Sequence, residues 1–172
     1  DSGYALGCHI GDKKALDKIR KVRKLDKSHN FTLVCRDLSE LALFARVDNT
    51  AFRVIKNNTP GPYTFILRAS PEVPNRLQHP KKKTIGIRVP EHNIAMALLE
   101  TLGEPLMSTS LIMPGDDLPL FDPEEILQTL DGKVDLVIDG GFTNSEPTTV
   151  VDMLDGFPKV IRHGGGDSEQ FE

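Results

Sequence analysis

The sequence predicts an α/β fold, in which short strands and amphipathic helices alternate around one sheet. The main observation is the stretch from Thr84 to Ser110, where a strand pattern, a helix pattern and a second strand pattern follow one another. Such a unit normally makes a right-handed crossover between parallel strands, which brings its loops to one edge of the sheet. The second observation is size, because 172 residues, 38% of them hydrophobic, suit one domain with a sizeable core.

The central unit carries the signals of all three elements. Alternating apolar residues indicate a strand over Thr84–Val89, and apolar residues at helical spacing indicate a helix over Ile94–Leu102. A second apolar strand opens at Leu106 and ends in the hydroxyl cluster Ser108–Ser110. Because α/β proteins bind ligands in crevices beyond their strand ends, we expect Arg88 and this hydroxyl cluster to share one crevice.

The other elements follow in order along the chain. Before the central unit we expect the exit of a strand into a loop over residues 1–8, a helix over 13–25 and a buried strand over 31–35. Two short helices over 38–45 and 49–55 and a strand over 63–67 follow. After it we expect a helix over residues 123–130 and three strands, over 134–138, 148–153 and 159–162. The helices outside the central unit are predicted to start at Asp12, Asp37, Asp48 or Asn49, and Asp122, whose side chains can cap them. The glycine-rich residues 164–172 are predicted to be a mobile tail.

Charge is distributed unevenly along the chain. Residues 1–102 hold 18 Lys and Arg against 10 Asp and Glu, a net +8, whereas residues 103–172 hold 3 against 15, a net −12. A basic half of this kind can attract phosphates within an acidic protein, so it predicts an anionic partner, with a solvated helix face as the alternative. The basic residues are densest in and just after the first helix: Lys13, Lys14, Lys18, Arg20, Lys21, Arg23, Lys24 and Lys27.

Several classes of protein are disfavoured. Cys8 and Cys35 lack metal-ligand spacing and lie in apolar runs, as core thiols of a reducing cytosol do. No run approaches the roughly 20 apolar residues that a bilayer span needs. We therefore expect a cytoplasmic protein with no metal site and no membrane contact.

The remaining polar signal lies at strand ends. The sequence has no phosphate-binding Gly-Lys-Ser/Thr loop, no G-x-S-x-G motif and no G-x-G-x-x-G motif before a helix. Hydroxyls combined with fixed guanidinium groups suit phosphate or carboxylate recognition. The strand-end residues of these two types are Arg88, Ser108, Thr109, Ser110, Thr148, Thr149 and Arg162.

Several of these residues also carry a resemblance to a known family. The segments DSGYALGC, NFTLVCRDLSEL, NNTPGPYTFIL, TIGIRVP, GEPLMSTSLIMPG, PTTVVD and VIRHGGGD occur in this order over nearly the whole chain. In these segments the sequence resembles the YrdC-like superfamily, and most closely its YciO branch. The resemblance implies a single YrdC-like domain over residues 1–172, with a twisted, mixed, open sheet, flanking helices and a concave basic face. In the family a strand and a helix precede the opening motif, so we expect that they are missing from this sequence.

The resemblance also implies roles for individual residues. Its synthases use a Lys-x-Arg pair and a Ser-x-Asn pair for phosphates, and this chain has Leu25 and Ile112 in place of the arginine and the asparagine. Two of the four groups are therefore apolar here, which argues against full synthase activity. The positions that match the family's nucleotide and substrate contacts are Ser2, Tyr4, Arg23, His29, Thr84, Arg88, Ser108, Thr109, Ser110, Thr148 and Arg162.

The function implied by the resemblance is binding of double-stranded RNA, of the tRNA or rRNA class, and of a nucleotide. The predicted RNA-binding residues are cations of the first helix and of the loop after it: Lys13, Lys14, Lys18, Arg20, Lys21, Lys24 and Lys27. The cofactor would be ATP with Mg²⁺, and the further small ligands would be AMP and L-threonine. The alternative is a threonylcarbamoyl-adenylate synthase, which uses L-threonine, bicarbonate and ATP for tRNA modification. A second alternative is a non-catalytic protein-interaction module that uses the acidic second half of the chain.

Overall fold

An open mixed sheet carries the fold. The protein is represented by a computed structural model that describes residues 1–143 and 146–172. The strands are β1 Ala5–His9, β2 Thr32–Val34, β3 Ala45–Arg46, β4 Tyr63–Ala69, β5 Thr84–Arg88, β6 Leu106–Ser110, β7 Thr149–Asp152 and β8 Lys159–Arg162. The helices are α1 Lys13–Arg23, α2 Leu38–Phe44, α3 Asn49–Asn57, α4 Asn93–Leu102 and α5 Pro123–Thr129.

The strand order is β1-β6-β2-β5-β4-β7-β8, with β3 paired to β4. The pairs β2/β5 and β4/β7 are parallel and the other pairs are antiparallel. The predicted mixed α/β fold is therefore confirmed. The predicted aspartate caps are also present, since the side chains of Asp12, Asp37, Asp48 and Asp122 each accept a backbone N–H at the start of a helix. Within the described residues, the helices are too short or too polar to cross a bilayer.

The predicted parallel crossover in the central unit is wrong. Strand β2 lies between β5 and β6, parallel to β5 and antiparallel to β6, so β6 runs opposite to β5. Val34 is level with both Arg88 and Leu106, which places Ser110 at the other end of the sheet. Both sides of β5 are occupied, by β2 and by β4, so β6 pairs elsewhere, and its antiparallel pairing with β1 and β2 sets its direction. Arg88 and the whole hydroxyl cluster therefore do not lie at one edge.

Two other predicted elements differ from the structure. Residues 134–138 form no strand; they are irregular, and the side chain of Leu136 is 76% exposed. A short segment rich in valine, leucine and isoleucine suits a strand, but this one pairs with no neighbouring strand of the described sheet. The opening segment also runs in the reverse sense to the prediction, because residues 1–4 are irregular and lead into β1.

The last residues are docked, which corrects the prediction of a mobile tail. The Thr149 hydroxyl donates to the Gly166 carbonyl at 2.6 Å and accepts from the Gly166 N–H at 3.0 Å. The Tyr63 hydroxyl donates to the carbonyl of Asp167 at 3.0 Å, and the Phe171 ring packs edge-on against the Tyr63 ring at 6.1 Å. These contacts join positions far apart in the chain, so no local pattern announces them.

The two faces of the sheet differ in character. One face, which we call the core face, carries side chains with no exposed area: Leu33, Phe65, Ile87, Met107 and Val151. Residues of α1, α2, α3 and α5 belong to the same buried cluster. The other face, which we call the open face, carries the alternate residues of the same strands, because successive side chains of a strand point to opposite sides. The polar residues that it carries are therefore separated from the core by the sheet itself.

We predict that Gly166→Ala displaces the docked tail. A Cβ at Gly166 would lie 2.5 Å from the Tyr63 ring, so the ring or the tail has to move. We expect the free energy of unfolding in urea to fall by about 1–3 kcal/mol, the usual cost of overpacking. The matched control is Gly165→Ala, whose Cβ would meet its nearest atom at an ordinary 3.6 Å. Equal stability of the two variants would contradict the packing argument.

Candidate functional site: a polar sheet face and a basic helix

Small polar residues line the middle of the open face. The register of the strands places Ser108, Thr32 and Gly86 side by side on β6, β2 and β5. A Cβ at Gly86 would lie 3.0 Å from the Thr32 hydroxyl oxygen and 3.0 Å from the methyl carbon of Thr64. Glycine at this position therefore leaves room for the flanking threonines, which form a floor of hydroxyls with Ser108.

Arg88 is the buried cation of this face, with 9% of its surface exposed. Its Nη1 donates to the Ser2 hydroxyl at 2.6 Å, and its Nη2 donates to the carboxylate of Asp1. Among the described residues its Nε has no hydrogen-bond partner, although it is buried. Burial lowers the pKa of Arg88 to about 10, so the guanidinium remains charged at neutral pH. The guanidinium is therefore held by Asp1 and Ser2, and one buried N–H of Arg88 has no partner among the described residues.

A second polar group joins β4, β7 and β8 through Thr148. The hydroxyls of Thr64 and Thr148 are 2.8 Å apart. The Arg162 guanidinium donates to the Thr148 carbonyl from Nε at 3.1 Å and from Nη2 at 2.8 Å, and to the Thr148 hydroxyl at 3.0 Å. Partial burial lowers the pKa of Arg162. These contacts satisfy Thr148 internally and hold the Arg162 side chain against the sheet.

Arg23 and His29 lie elsewhere, on the core face beside Thr109. The Thr109 hydroxyl is 2.8 Å from Arg23 Nη1 and 3.0 Å from His29 Nε2. Arg23 Nε also donates to the Ile112 carbonyl at 2.8 Å. Burial, together with the positive charges of Arg23 and Arg20, lowers the pKa of His29 to about 4. Because Thr109 points to the opposite side from Ser108 and Ser110, the expected set of ligand contacts is divided between two faces.

A cavity of about 510 Å³ lies beside β1, between α1, α4 and residues 133–140. Four predicted site residues, Ser2, Tyr4, Arg88 and Ser108, line it, and so does Lys18 of the basic helix. The Tyr4 hydroxyl is already engaged, since it accepts from the Gly140 N–H at 3.0 Å and donates to the Gly141 carbonyl at 2.7 Å. Much of the remaining wall is apolar. It includes Ile19, Val22, Leu98, Leu102, Leu130 and Leu136.

The cations of the first helix are mostly exposed. Lys18 pairs with Asp135 at 3.3 Å, and the Arg20 guanidinium lies 4.8 Å from the centre of the Phe31 ring. The other predicted RNA-binding residues are exposed and have no ion pair within the described part of the chain: Lys13, Lys14, Lys21, Lys24 and Lys27. In residues 1–143 and 146–172, no three His, Cys, Asp or Glu side chains converge as metal ligands would.

The class of protein follows from this geometry: it is a mixed-sheet α/β protein with a polar open face and a basic first helix. The Sua5_yciO_yrdC family model, described as telomere recombination, matches residues 1–164, and the chain belongs to that family. Within the family it falls in the YciO branch. It is 57% identical over 171 residues to the uncharacterized protein YciO of Escherichia coli K12, covering 99% of this chain and 83% of that protein.

The solved structures agree with this placement. The crystal structure of E. coli YciO superposes with a TM-score of 0.96, covering 100% of this chain and 84% of that one. The Sua5 protein of P. abyssi, solved with L-threonine, gives a TM-score of 0.86 at 26% identity, covering 95% of this chain and 48% of that one. A threonylcarbamoyl-AMP synthase of Bacillus subtilis is 29% identical over 171 residues, which cover 98% of this chain and 49% of the synthase.

Sequence reasoning missed two residues of the polar floor, Thr32 and Thr64. Both lie in apolar runs, where a single threonine gives little signal. The alternation of side chains between the two faces of a strand could have identified them. Thr32 is level with Gly86, and Thr64 lies on the same face of the neighbouring strand. Thr84 is on this face as well and is 2% exposed, so it contributes to the buried part of the floor.

We predict that His29 makes stability depend on pH. The folded-state pKa of about 4 lies below the ordinary value of 6.5, so between these values the unfolded chain binds the proton first. The free energy of unfolding should therefore fall as pH decreases from 6.5 towards 4, and His29→Gln should remove this component. The measurement is urea unfolding across that range. The control is His163→Gln, at an exposed histidine, and a wild-type slope in His29→Gln would contradict the assignment.

Proposed function

We propose that the chain binds double-stranded RNA through the cations of α1 and a nucleotide through the polar open face. The observation that supports RNA binding is a group of exposed lysines on and just after α1, of which only Lys18 forms an ion pair within residues 1–143 and 146–172. Exposed cations grouped in this way attract polyanions. Duplex RNA is recognised largely through shape and phosphates, which requires distributed positive charge and no fixed motif.

The open face supports binding of a small anion. Arg88 offers a buried, charged guanidinium with an unpartnered Nε, and the hydroxyls of Ser2 and Ser108 line the same cavity. Such groups suit a carboxylate or phosphate. The relative solved with L-threonine favours a small ligand that carries a carboxylate. The described residues offer no carboxylate cluster for Mg²⁺, so in this proposal the metal would enter with the triphosphate, whose oxygens are its preferred ligands.

The alternative function is synthesis of threonylcarbamoyl-adenylate. The B. subtilis relative favours it by name. Two observations on this chain weigh against efficient synthesis. Leu25 and Ile112 replace the polar groups of the family's phosphate motifs, and the Arg23 guanidinium is engaged by Thr109 and the Ile112 carbonyl. Loss of one charge-assisted contact typically costs about 1.5–3 kcal/mol. Two such losses are enough to suppress turnover while leaving a nucleotide pocket.

A protein-interaction role has one observation in its favour. Leu136 and Phe142 are 76% and 75% exposed, and the exposed acids Asp131, Asp135 and Asp139 lie in the same segment. An apolar surface with acidic residues suits a basic, amphipathic partner. Co-purification that is lost when these acids are neutralised would support this role over the other two.

We predict that Lys18→Glu with Lys21→Glu weakens binding of duplex RNA at least tenfold and flattens its dependence on salt. The reason is that each lost phosphate contact removes a released counterion. Fluorescence anisotropy with a labelled RNA duplex measures both quantities. Lys159→Glu, at an exposed lysine of β8, is the control, with half the charge change of the double variant. Salt-insensitive binding, or equal loss in the control, would overturn the role of α1.

We predict that ATP or AMP raises the thermal unfolding midpoint, while pyrophosphate release from ATP with L-threonine and bicarbonate stays at or near background. A ligand at 100 times its dissociation constant stabilises by about 2.7 kcal/mol, which a thermal-shift assay detects. Ser108→Ala should reduce the shift because its hydroxyl lines the cavity, whereas Ser39→Ala, at an exposed serine of α2, should retain it. Rapid threonine-dependent release would favour the synthase alternative.

A further inference from the structure

We infer that the RNA-binding surface extends beyond α1 along one end of the sheet, and this inference rests on the RNA-binding function proposed above. We call this end the basic edge. It consists of cations from four separate segments of the chain, which the topology brings together. They are Lys24, Lys27, Arg46, Arg68, Lys81, Lys82 and Lys83. Five of these seven lie outside α1 and the loop that follows it, and they are not among the RNA-binding residues predicted from the sequence.

Parallel pairing of β2 with β5 brings together the first two loops of the basic edge. Thr32 is level with Gly86, so the segments that lead into the two strands enter the sheet side by side. The Gly86 N–H donates to the Phe31 carbonyl at 3.2 Å, which fixes this alignment at the very start of β2. The loop after α1, which carries Lys24 and Lys27, therefore lies next to the loop that carries the three lysines 81–83.

Strand β4 adds two arginines to the basic edge, because it runs antiparallel to β5 and ends where β5 begins. Arg68 is level with Thr84, and the Ala69 N–H donates to the Lys83 carbonyl at 3.0 Å. On the other side of β4, Arg46 of β3 is directly opposite Arg68. Two like charges in directly opposite positions are unfavourable for a strand pair. An external anion would offset this repulsion.

The lysine loop has a defined shape. The Lys83 N–H donates to the His79 carbonyl at 2.9 Å, and the His79 N–H donates to the Thr84 carbonyl at 2.9 Å. The backbone N–H groups of Lys81 and Lys82 both point at His79 Nδ1, at 3.2 and 3.1 Å. The backbone of the turn is therefore bonded on both sides, and the three exposed lysine side chains project from a fixed turn into solvent.

The charges at this edge are poorly neutralised. None of the seven cations forms an ion pair within the described residues. The acids closest to them in sequence are Asp26, Asp48 and Glu72, and the first two already accept backbone N–H groups at turns or helix starts. Cations spread over the ends of four strands match a row of phosphates better than one small ligand. The partner that fits is the backbone of duplex RNA, continuing from α1.

The test compares three charge-reversal variants with wild type: Lys81→Glu with Lys83→Glu, Lys18→Glu with Lys21→Glu, and Lys159→Glu. Affinity for a labelled RNA duplex is measured from about 50 to 200 mM salt, the range over which phosphate contacts dominate. We expect the edge variant to lose at least tenfold in affinity and to have a shallower salt slope, as the helix variant does. Thermal unfolding midpoints exclude loss of the fold, and Lys81→Gln with Lys83→Gln repeats the test with a milder change.

The outcomes separate this inference from the function on which it rests. If wild type does not bind the duplex, the proposed function fails and the basic edge has no RNA role. If wild type binds, the helix variant is weakened and both edge variants bind as wild type does, only the extension along the edge is overturned. If the edge variants lose binding to anionic lipid vesicles but not to RNA, the edge serves a different polyanion and the inference is likewise overturned.

Discussion

Parallel pairing between β2 and β5 is the constraint on which the rest of the arrangement depends. It occupies one side of β5 and leaves β6 to pair with the outer side of β2 in the opposite direction. The same pairing determines which side chains of the central strands share a face. The hydroxyls and Arg88 lie on one face, while Ile85 and Ile87 enter the core on the other. It also brings the chain segments before the two strands to one end of the sheet. The polar face and the basic edge are therefore both consequences of one strand alignment.

Local signals in the sequence were sufficient for most elements of the fold. Aspartate caps and apolar spacing located the five helices, because those interactions lie within four residues of one another. Strand direction was not accessible in the same way, since the pattern of β6 is identical whether it runs parallel or antiparallel to β5. Residues 134–138 show the related limit, because a short apolar segment forms a strand only where another strand is available to pair with it. The docked tail depends on Tyr63, about a hundred residues away in the chain.

The candidate site was predictable by residue type and less so by position. Arg88, Ser2 and Ser108 were expected to contact one ligand, and they line one cavity. Thr109 was placed with them, but it is one residue from Ser108 in a strand and so faces the other way, towards Arg23 and His29. The alternation of side chains along a strand is enough to place Thr109 and Ser108 on opposite faces. The two side chains that replace polar groups, Leu25 and Ile112, show where a phosphate contact is lacking, but they do not identify what the remaining pocket accepts.

The ion pair between Lys18 and Asp135 lies where the basic helix meets the acidic segment after α5. Positive and negative regions adjoin there, so the sign of the surface charge changes across this contact. A polyanion is repelled on the acidic side of the contact and attracted on the side of the basic helix. Orientation during the diffusional encounter therefore selects one docking direction, and this selection weakens as salt shortens the range of the field.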